Sequence, residues 1–300
     1  MVDQRKAYFY GLGAVFFWST VATAFKLSLR HLPPAQLLLY AAVFSTLTLG
    51  AILAARGRFL ATLGALRHDW RQSLGLGLLN PFLYYLVLFR AYDLLPAQEA
   101  QPLNYTWAIT LSLLSVPLLK QRIAPRDLVA ILVSYLGVVV ISTKGDVLGL
   151  HFAAPLGVAL ALGSTVIWAL YWIYNTKSGR DPLAGLFRNF LCSLPLIFAW
   201  CLGFTELQPP SLPGLLGAAY VGVFEMGVTY VLWQQALDRS ESTAKISNLI
   251  FLSPFLSLVF IHLLVGETIL GSTLVGLVLI VCGQAIQQLR WRRRYLRRRP

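Results

Sequence analysis

One acidic residue, Glu225, lies in the middle of the apolar run 221–227 (VGVFEMG). If this run crosses a membrane, a charged carboxylate at its centre costs about 2.5–3.5 kcal/mol on insertion scales. Such a group needs a water-filled cavity, a hydrogen-bond donor or a bound proton. Glu225 is therefore a candidate for substrate binding or proton coupling. The alternative is a buried carboxyl group hydrogen-bonded between packed helices.

Asn80 occupies a similar place in an earlier apolar run. A regular helix puts Gly77, Asn80 and Tyr84 on one face. Small and polar residues at this spacing fit either a cavity wall or close helix packing, and both alternatives stay open here. The corresponding residues around Glu225 are Gly222, Thr229 and Trp233.

Tryptophan residues beside polar residues form a second set of candidate binding groups. Trp107 follows Asn104 in one run, and Trp168 lies one helical turn before Trp172 in another. A lipid-facing tryptophan has little reason to lie at mid-depth beside Asn or Ser, whereas a cavity wall uses both types. The predicted substrate-binding residues are Trp18, Asn80, Tyr84, Asn104, Trp107, Trp168, Trp172 and Glu225.

The composition predicts that membrane-spanning helices position these residues. Hydrophobic residues make up 57% of the 300 residues and charged residues 12%. Soluble domains carry about 25% charged residues, so this chain has too few charges to cover a water-facing surface. We therefore predict an all-α integral membrane protein.

Apolar runs of about 20 residues, enough to cross about 30 Å of hydrocarbon, occur ten times along the chain. The loops between them are short and leave no room for a soluble domain. The predicted spans cover residues 7–29, 35–55, 72–92, 97–119, 127–143, 152–174, 183–204, 213–235, 241–264 and 268–288.

The distribution of basic residues predicts the orientation. With ten spans, nineteen of the 25 lysines and arginines fall on the side of the two chain ends and four on the opposite side. Arg188 and Lys245 lie near helix ends, where their side chains can reach the interface. Cytoplasmic loops carry the excess of basic residues, so both termini are predicted to be cytoplasmic in a multi-pass inner-membrane protein. The arginine-rich tail fits anionic headgroups better than nucleic acid.

The two halves of the chain show weak self-similarity. A shift of 145 residues aligns Asn80 with Glu225, and a shift of 146 aligns Gly137 with Gly283. Because each half has five spans, an odd number, the second half is inserted in the opposite sense. Inverted repeats of this kind are typical of transporters with a midplane site. The predicted units are a first repeat, 1–148, a second repeat, 149–289, and a basic cytoplasmic tail, 290–300.

Several short features carry a resemblance to a known family. They are the stretches 18–26 and 168–177, Pro254, and the pair Gly266-Glu267 before the tenth span. The chain resembles the drug/metabolite transporter (DMT) superfamily in its ten-helix form with two EamA-type repeats. One departure is Gln121-Arg122 in the first repeat, where the family often has Gly-Glu.

The run 104–107 (NYTW) resembles the YddG-like aromatic amino-acid exporter branch. The resemblance and the polar, aromatic mid-depth residues together predict a secondary transporter that exports small metabolites by alternating access. Aromatic and other hydrophobic amino acids are the first expectation, since Asn80, Asn104 and Glu225 can meet an amino-acid headgroup. Export, rather than uptake, rests on the resemblance alone. Proton coupling through Glu225 is a separate hypothesis.

Other functions stay open as alternatives. A DMT-type transporter of another drug-like or polar metabolite is the nearest, although the lack of Lys or Arg at mid-span disfavours phosphorylated substrates. A channel or an intramembrane enzyme is disfavoured, because the sequence contains no filter-like repeat, no zinc-type His/Glu pair and no Gly-x-Ser-x-Gly motif.

No cofactor or metal is predicted, since the three cysteines lack paired spacing. The expected partners are a small-molecule substrate and the lipid bilayer. No nucleic acid is expected, and because one chain contains both repeats, a monomer suffices.

Overall fold

The computed structural model describes residues 2–120, 125–149, 154–241, 246 and 248–296, without the side chains of Arg126 and residues 287–296. All regular secondary structure in these ranges is helical. The helices are α1 Gln4–Leu29, α2 Pro34–Ala55, α3 Phe59–Leu94, α4 Ala97–Tyr105 with Trp107–Leu119, α5 Pro125–Ser142, α6 Pro155–Lys177, α7 Pro182–Phe204, α8 Leu212–Arg239, α9 Asn248–Val265 and α10 Gly271–Leu296.

Each of the ten predicted spans coincides with one of these helices. Seven of them, α1, α2, α3, α6, α7, α8 and α9, are long and apolar enough to cross a membrane as single helices. Helix α4 is divided at Thr106, and the apolar parts of α5 and α10 are shorter, at Asp127–Ser142 and Gly271–Ile286. We call the face where α1 begins and α10 ends the terminal face, and the other the opposite face.

Two helix ends differ from the prediction. Helix α3 begins at Phe59 rather than near residue 72, and its backbone bends at Asp69 (φ −117°, ψ 18°). The first turns of α3 are amphipathic and carry Arg67 and Arg71, so a search for apolar runs does not detect them. The basic segment after residue 290 continues α10 to Leu296, because arginine and glutamine are good helix formers.

The helix contacts follow the relation expected for two inverted repeats. Helix α1 packs on α8 and on α9, and the equivalent helix α6 packs on α3 and on α4. Helix α2 packs on α8 as α7 packs on α3, while α5 and α10 pack on each other. Exchanging helices α1–α5 with α6–α10 therefore maps these contacts onto one another, as a pseudo-two-fold axis requires.

Small residues allow α5 and α10 to approach closely. A Cβ added to Gly276 would lie 2.6 Å from the carbonyl oxygen of Gly137. One helical turn further along the seam, the Ser134 hydroxyl donates a hydrogen bond of 3.3 Å to the carbonyl oxygen of Ile280. Since nothing larger than glycine fits at such an approach, these two helices pack tightly through their small residues.

We predict that Gly276→Leu destabilises the protein, because the new side chain must push α5 away from α10. Overpacking of this kind costs about 1–3 kcal/mol. Gly203→Leu is the matched control, since a Cβ at Gly203 meets no atom within 4 Å. The measurement is the midpoint of thermal unfolding in detergent. Equal midpoints for the two variants would contradict the packing described for the α5–α10 seam.

Candidate functional site

Helices α3 and α8 lose regular α-helical geometry near their middles. Helix α3 contains the π-helical segment Leu78–Leu83, within which Asn80 has non-helical φ and ψ (−143°, 116°). Helix α8 contains the π-helical segment Val221–Val228, which includes Glu225. The sequence shift that aligns Asn80 with Glu225 thus also aligns the two irregular segments. Single π-turns inside helices are frequently found at functional sites.

Helices α4 and α9 are irregular at corresponding places. Helix α4 is interrupted at Thr106, and α9 begins with the 3₁₀ segment Asn248–Leu252. A shift of 146 residues aligns Thr106 with Leu252. At membrane depth, irregular backbone is tolerated where it is buried in protein or lines a cavity. These four helices therefore provide the position at which a site can be built.

Glu225 has one described hydrogen-bond partner, the phenol of Tyr85. The Tyr85 hydroxyl donates to Oε1 of Glu225 over 3.2 Å, which joins α3 to α8. The other carboxyl oxygen, Oε2, is enclosed and has no partner among the described residues. One carboxyl oxygen thus stays available for a ligand, a water molecule or a proton.

A chain of hydrogen bonds joins α3, α4 and α6 beside this carboxyl group. The Tyr84 hydroxyl donates to Oδ1 of Asn104 over 3.3 Å. The Asn104 amide donates to the Ser164 hydroxyl oxygen over 3.0 Å, and Ser164 donates to the carbonyl oxygen of Ala161 over 2.6 Å. Each polar group in the chain is satisfied by the next, which fixes the orientation of the Tyr84 ring.

Aromatic rings cover the next part of the same region. The Trp168 ring stacks on Tyr84, with centroids 4.5 Å apart, and on Tyr171 at 5.5 Å. Trp172 meets Trp168 edge to face at 6.1 Å, and its indole N–H is enclosed without a partner among the described residues. The result is an aromatic wall with one unused hydrogen-bond donor.

Asn80 lies at the end of this wall that is nearer to α7. Its side chain is buried, and its Oδ1 has no partner among the described residues. The Tyr171 hydroxyl interacts with the side chains of Asn80 and Asn189. Asn80 therefore connects the aromatic wall to polar groups on α7.

Six of the eight predicted binding residues form one connected cluster, in which the ring of Tyr85 contacts Tyr84 at 4.8 Å and completes the link to Glu225. The six are Asn80, Tyr84, Asn104, Trp168, Trp172 and Glu225. Trp18 lies apart and packs on Trp233 at 5.0 Å, in the seam of α1 and α8. Trp107 is half-buried and has no ring contact among the described residues. Binding by all eight stays a prediction.

Gly77 and Gly222 pack helices together and do not line a cavity. A Cβ at Gly77 would overlap the backbone of Asn189 on α7, and one at Gly222 would overlap the backbone of Ala41 on α2. Of the two alternatives for the small residues on these faces, the structure selects close packing. The polar residues of the same faces point elsewhere, because the π-helical segments break the regular 3.6-residue spacing.

Sequence reasoning missed Tyr85 and Tyr171. Regular helical spacing selects Tyr84 as the neighbour of Asn80, but the π-helical segment changes the register and brings Tyr85 to Glu225. One sequence signal was available, since the shift of 145 residues aligns Tyr85 with Tyr230. No spacing rule indicated Tyr171.

At the opposite face, the two halves are joined by hydrogen bonds at the start of α4. The Glu267 carboxylate, in the α9–α10 loop, accepts the backbone N–H groups of Ala97 (2.7 Å) and Gln98 (3.0 Å). The Gln98 side chain in turn donates to the carbonyl oxygen of Thr268 and accepts the N–H of Leu270, each at 2.9 Å. We call these contacts the outer clasp.

Two basic residues at the end of α1, Lys26 and Arg30, make further hydrogen bonds at the opposite face. The Lys26 ammonium donates to the carbonyl oxygens of Tyr92 and Leu95 at 2.7 Å each, which satisfies the end of α3. Arg30 donates to the carbonyl oxygen of Val265 over 2.9 Å. The opposite face is therefore closed by contacts between α1, the α3–α4 corner and the α9–α10 loop.

The terminal face carries two cavities. One, of about 380 Å³, is lined by residues of α3 and the end of α6, among them Gln72, Leu79, Tyr174 and Ser178. The second, of about 250 Å³, is lined by residues of the α2–α3 loop, the start of α7 and α8, among them Asp181, Tyr230 and Gln234. Both cavities thus lie towards the terminal face, where the two halves are also joined by Arg58 with Asp181 and by the Asp3 N–H with the carbonyl oxygen of Arg239.

A comparison with protein families identifies this architecture. The model of the EamA-like transporter family matches residues 5–143 and, a second time, residues 155–286. The chain belongs to the EamA-like transporter family. Each match covers one five-helix half, so the resemblance to the DMT superfamily and its repeated unit is confirmed. The protein is an EamA-type transporter that crosses the membrane several times.

Individual relatives are similar to this chain over nearly its whole length. An aromatic amino acid exporter, YddG, of Ancylobacter novellus is 26% identical over 97% of this chain and 100% of its own length. A probable amino-acid metabolite efflux pump of Salmonella typhimurium is 28% identical over 93% and 94%. A crystal structure with 23% identity has the same fold, with a TM-score of 0.69 over 97% of this chain and 99% of that one.

Proposed function

We propose that this EamA-type transporter exports aromatic and other hydrophobic amino acids by alternating access between its two inverted repeats. The observation that carries the proposal is the aromatic wall of Tyr84, Trp168 and Trp172 beside hydrogen-bonding groups of Asn104 and Glu225. A substrate ring or aliphatic chain can pack on the wall. The free oxygen of Glu225 can then receive the substrate ammonium group.

The relatives support the same substrate class. One is named an aromatic amino acid exporter and another a probable amino-acid metabolite efflux pump, and both match this chain end to end. The excess of basic residues on the terminal face supports a cytoplasmic location of both chain ends in the inner membrane. In that orientation the two cavities face the cytoplasm, where an exporter loads its substrate.

We predict that purified protein in liposomes takes up labelled phenylalanine, tryptophan and leucine, and that unlabelled aromatic and aliphatic amino acids compete whereas lysine and glutamate do not. Trp168→Ala raises the KM for phenylalanine by between about twofold and tenfold, which corresponds to the free energy of one aromatic pair. The KM for leucine rises less, because leucine has no ring to stack. Trp70→Ala is the control, because Trp70 is an exposed tryptophan of α3 that contacts Arg71. Inertness towards every amino acid would overturn the proposed substrate class and favour another polar or drug-like metabolite.

Glu225 is the group that could couple transport to protons. If it does, Glu225→Gln abolishes the response of uptake to an imposed pH gradient, because the amide cannot bind or release the proton. Uptake down a substrate gradient continues in this variant. The control is Glu206→Gln, at an exposed carboxyl group in the α7–α8 loop. Proton coupling through Glu225 is disproved if an imposed pH gradient leaves wild-type uptake unchanged, or if it changes uptake by Glu225→Gln as much as uptake by the wild type.

The outer clasp must break if the opposite face opens during transport. Glu267→Gln removes the charge from the two bonds to Ala97 and Gln98, which weakens closure. We predict that a cysteine introduced at Gln101, below the clasp, then reacts several-fold faster with an impermeant thiol reagent applied to the opposite face. The assay uses protein whose native cysteines Cys192, Cys201 and Cys282 are replaced by serine.

Glu206→Gln again serves as the control for the clasp, because it removes a carboxylate from the same face without touching these contacts. An unchanged labelling rate in Glu267→Gln would show that the clasp does not limit access from that face.

A further inference from the structure

Two buried arginines share one carboxylate near the terminal face. Arg188 Nη1 lies 2.7 Å from Oδ2 of Asp69, and Arg180 Nη1 lies 3.7 Å from the same oxygen. The side chains of Arg180 and Arg188 are only 9% and 7% exposed. The bend of α3 at Asp69 directs this carboxyl group to both guanidinium groups. Arg188, expected from sequence to reach the interface, is instead buried and paired, while Lys245 lies outside the described residues.

One positive charge in this cluster has no counter-charge among the described residues. The neighbouring carboxylate, Asp181, is already paired with Arg58 at 3.2 Å. Burial lowers the pKa of Arg180, and the positive charge of Arg188 lowers it further. The negative charge of Asp69 raises this pKa, but its effect is smaller. An uncompensated buried charge is costly, so a packing role alone does not account for the second arginine.

An unused hydrogen-bond donor lies beside the same guanidinium group. Arg180 Nη2 donates to Oδ1 of Asn189 over 3.0 Å. The amide nitrogen of Asn189 is fully buried, makes no close hydrogen bond to the described residues and lies near the Tyr171 hydroxyl. A guanidinium group with an adjacent N–H donor is a typical partner set for a carboxylate.

The cluster lies between the cavities and the candidate site. Nε of Arg180 is 3.4 Å from the hydroxyl of Ser178, which lines the larger cavity, and the next residue, Asp181, lines the smaller one. Asn189 contacts Tyr171, whose ring stacks on Trp168. Polar groups thus run from the terminal face to the aromatic wall.

The opposite face has no equivalent cluster among its described residues. A shift of 150 residues aligns Arg180 with Arg30 but Arg188 with Leu38. There, Gly214 packs on Leu32 and Gly217 packs on Ser28, so helix contact takes the place of charge. The arginine pair therefore distinguishes the two ends of an otherwise symmetric pathway.

We propose that Arg180, with Arg188 and Asn189, binds the carboxylate of the substrate as it enters from the terminal face, so that this transporter prefers molecules with a free carboxylate to matched molecules that lack one. This inference rests on the proposed amino-acid transport. The pair supplies the fixed positive charge that the middle of the bundle lacks, and Glu225 stays free for the ammonium group. Selection then occurs before the substrate reaches the aromatic wall.

The test compares phenylalanine with phenylalaninamide, which keeps the ring and the ammonium group but has no carboxylate. In liposomes, Arg180→Gln should raise the KM for phenylalanine at least about tenfold, the worth of a charge-assisted hydrogen bond. Its effect on the amide should be at most about twofold, within the usual range of a neutral change. Arg180→Lys, which keeps the charge, should fall between the wild type and Arg180→Gln.

Arg71→Gln is the matched control, because Arg71 is an exposed arginine of the same face that stacks on Trp70 and should leave both substrates unaffected. Equal fold-changes for the acid and the amide in Arg180→Gln would overturn the inference and assign Arg180 to structure or lipid binding. If Arg180→Gln does not fold, the acid-to-amide ratio of Arg180→Lys decides, and an unchanged ratio overturns the inference. Wild-type protein that transports neither compound would refute the proposed function itself.

Discussion

Every polar group that these helices carry into the apolar layer must find a partner inside the protein, and this constraint organises the centre of the molecule. Tyr84, Asn104 and Ser164 satisfy one another across three helices, and Tyr85 supplies the single described donor to Glu225. Where this satisfaction is incomplete, at one oxygen of Glu225 and at the indole N–H of Trp172, the protein retains capacity for a ligand. These two groups belong to the connected cluster described above, which is why that cluster is the candidate site.

The π-helical segments of α3 and α8 show how the two repeats share this task. Each segment interrupts the regular hydrogen-bond ladder and lets small residues pack on one side while polar residues turn to another. Their equivalent positions follow from the inverted repeat, whereas their chemistry differs, since one carries Asn80 and the other Glu225. A duplicated scaffold thus holds a candidate site whose two halves differ in chemistry.

The two faces of the bundle differ in the same way. At the opposite face, Glu267, Gln98 and Lys26 satisfy helix ends across the repeat boundary, so closure uses groups that need a partner in any state. The terminal face has other contacts between the halves, such as Arg58 with Asp181, together with two cavities and the charge cluster at Asp69. The two repeats thus share a backbone arrangement and differ in the side chains that they place at the two faces.

The membrane class, the ten spans and the repeat could be predicted from the amino-acid sequence, because the length and order of apolar runs are local properties that decide insertion into a bilayer. Six residues that lie together could also be predicted, since polar and aromatic side chains at mid-depth are few. The contact of Tyr85 with Glu225, the packing of Trp18 on Trp233 and the burial of Arg188 against Asp69 became known from the folded chain alone. These depend on a change of helical register and on a bend in α3, which arise from packing between helices distant in sequence and leave no periodic signal.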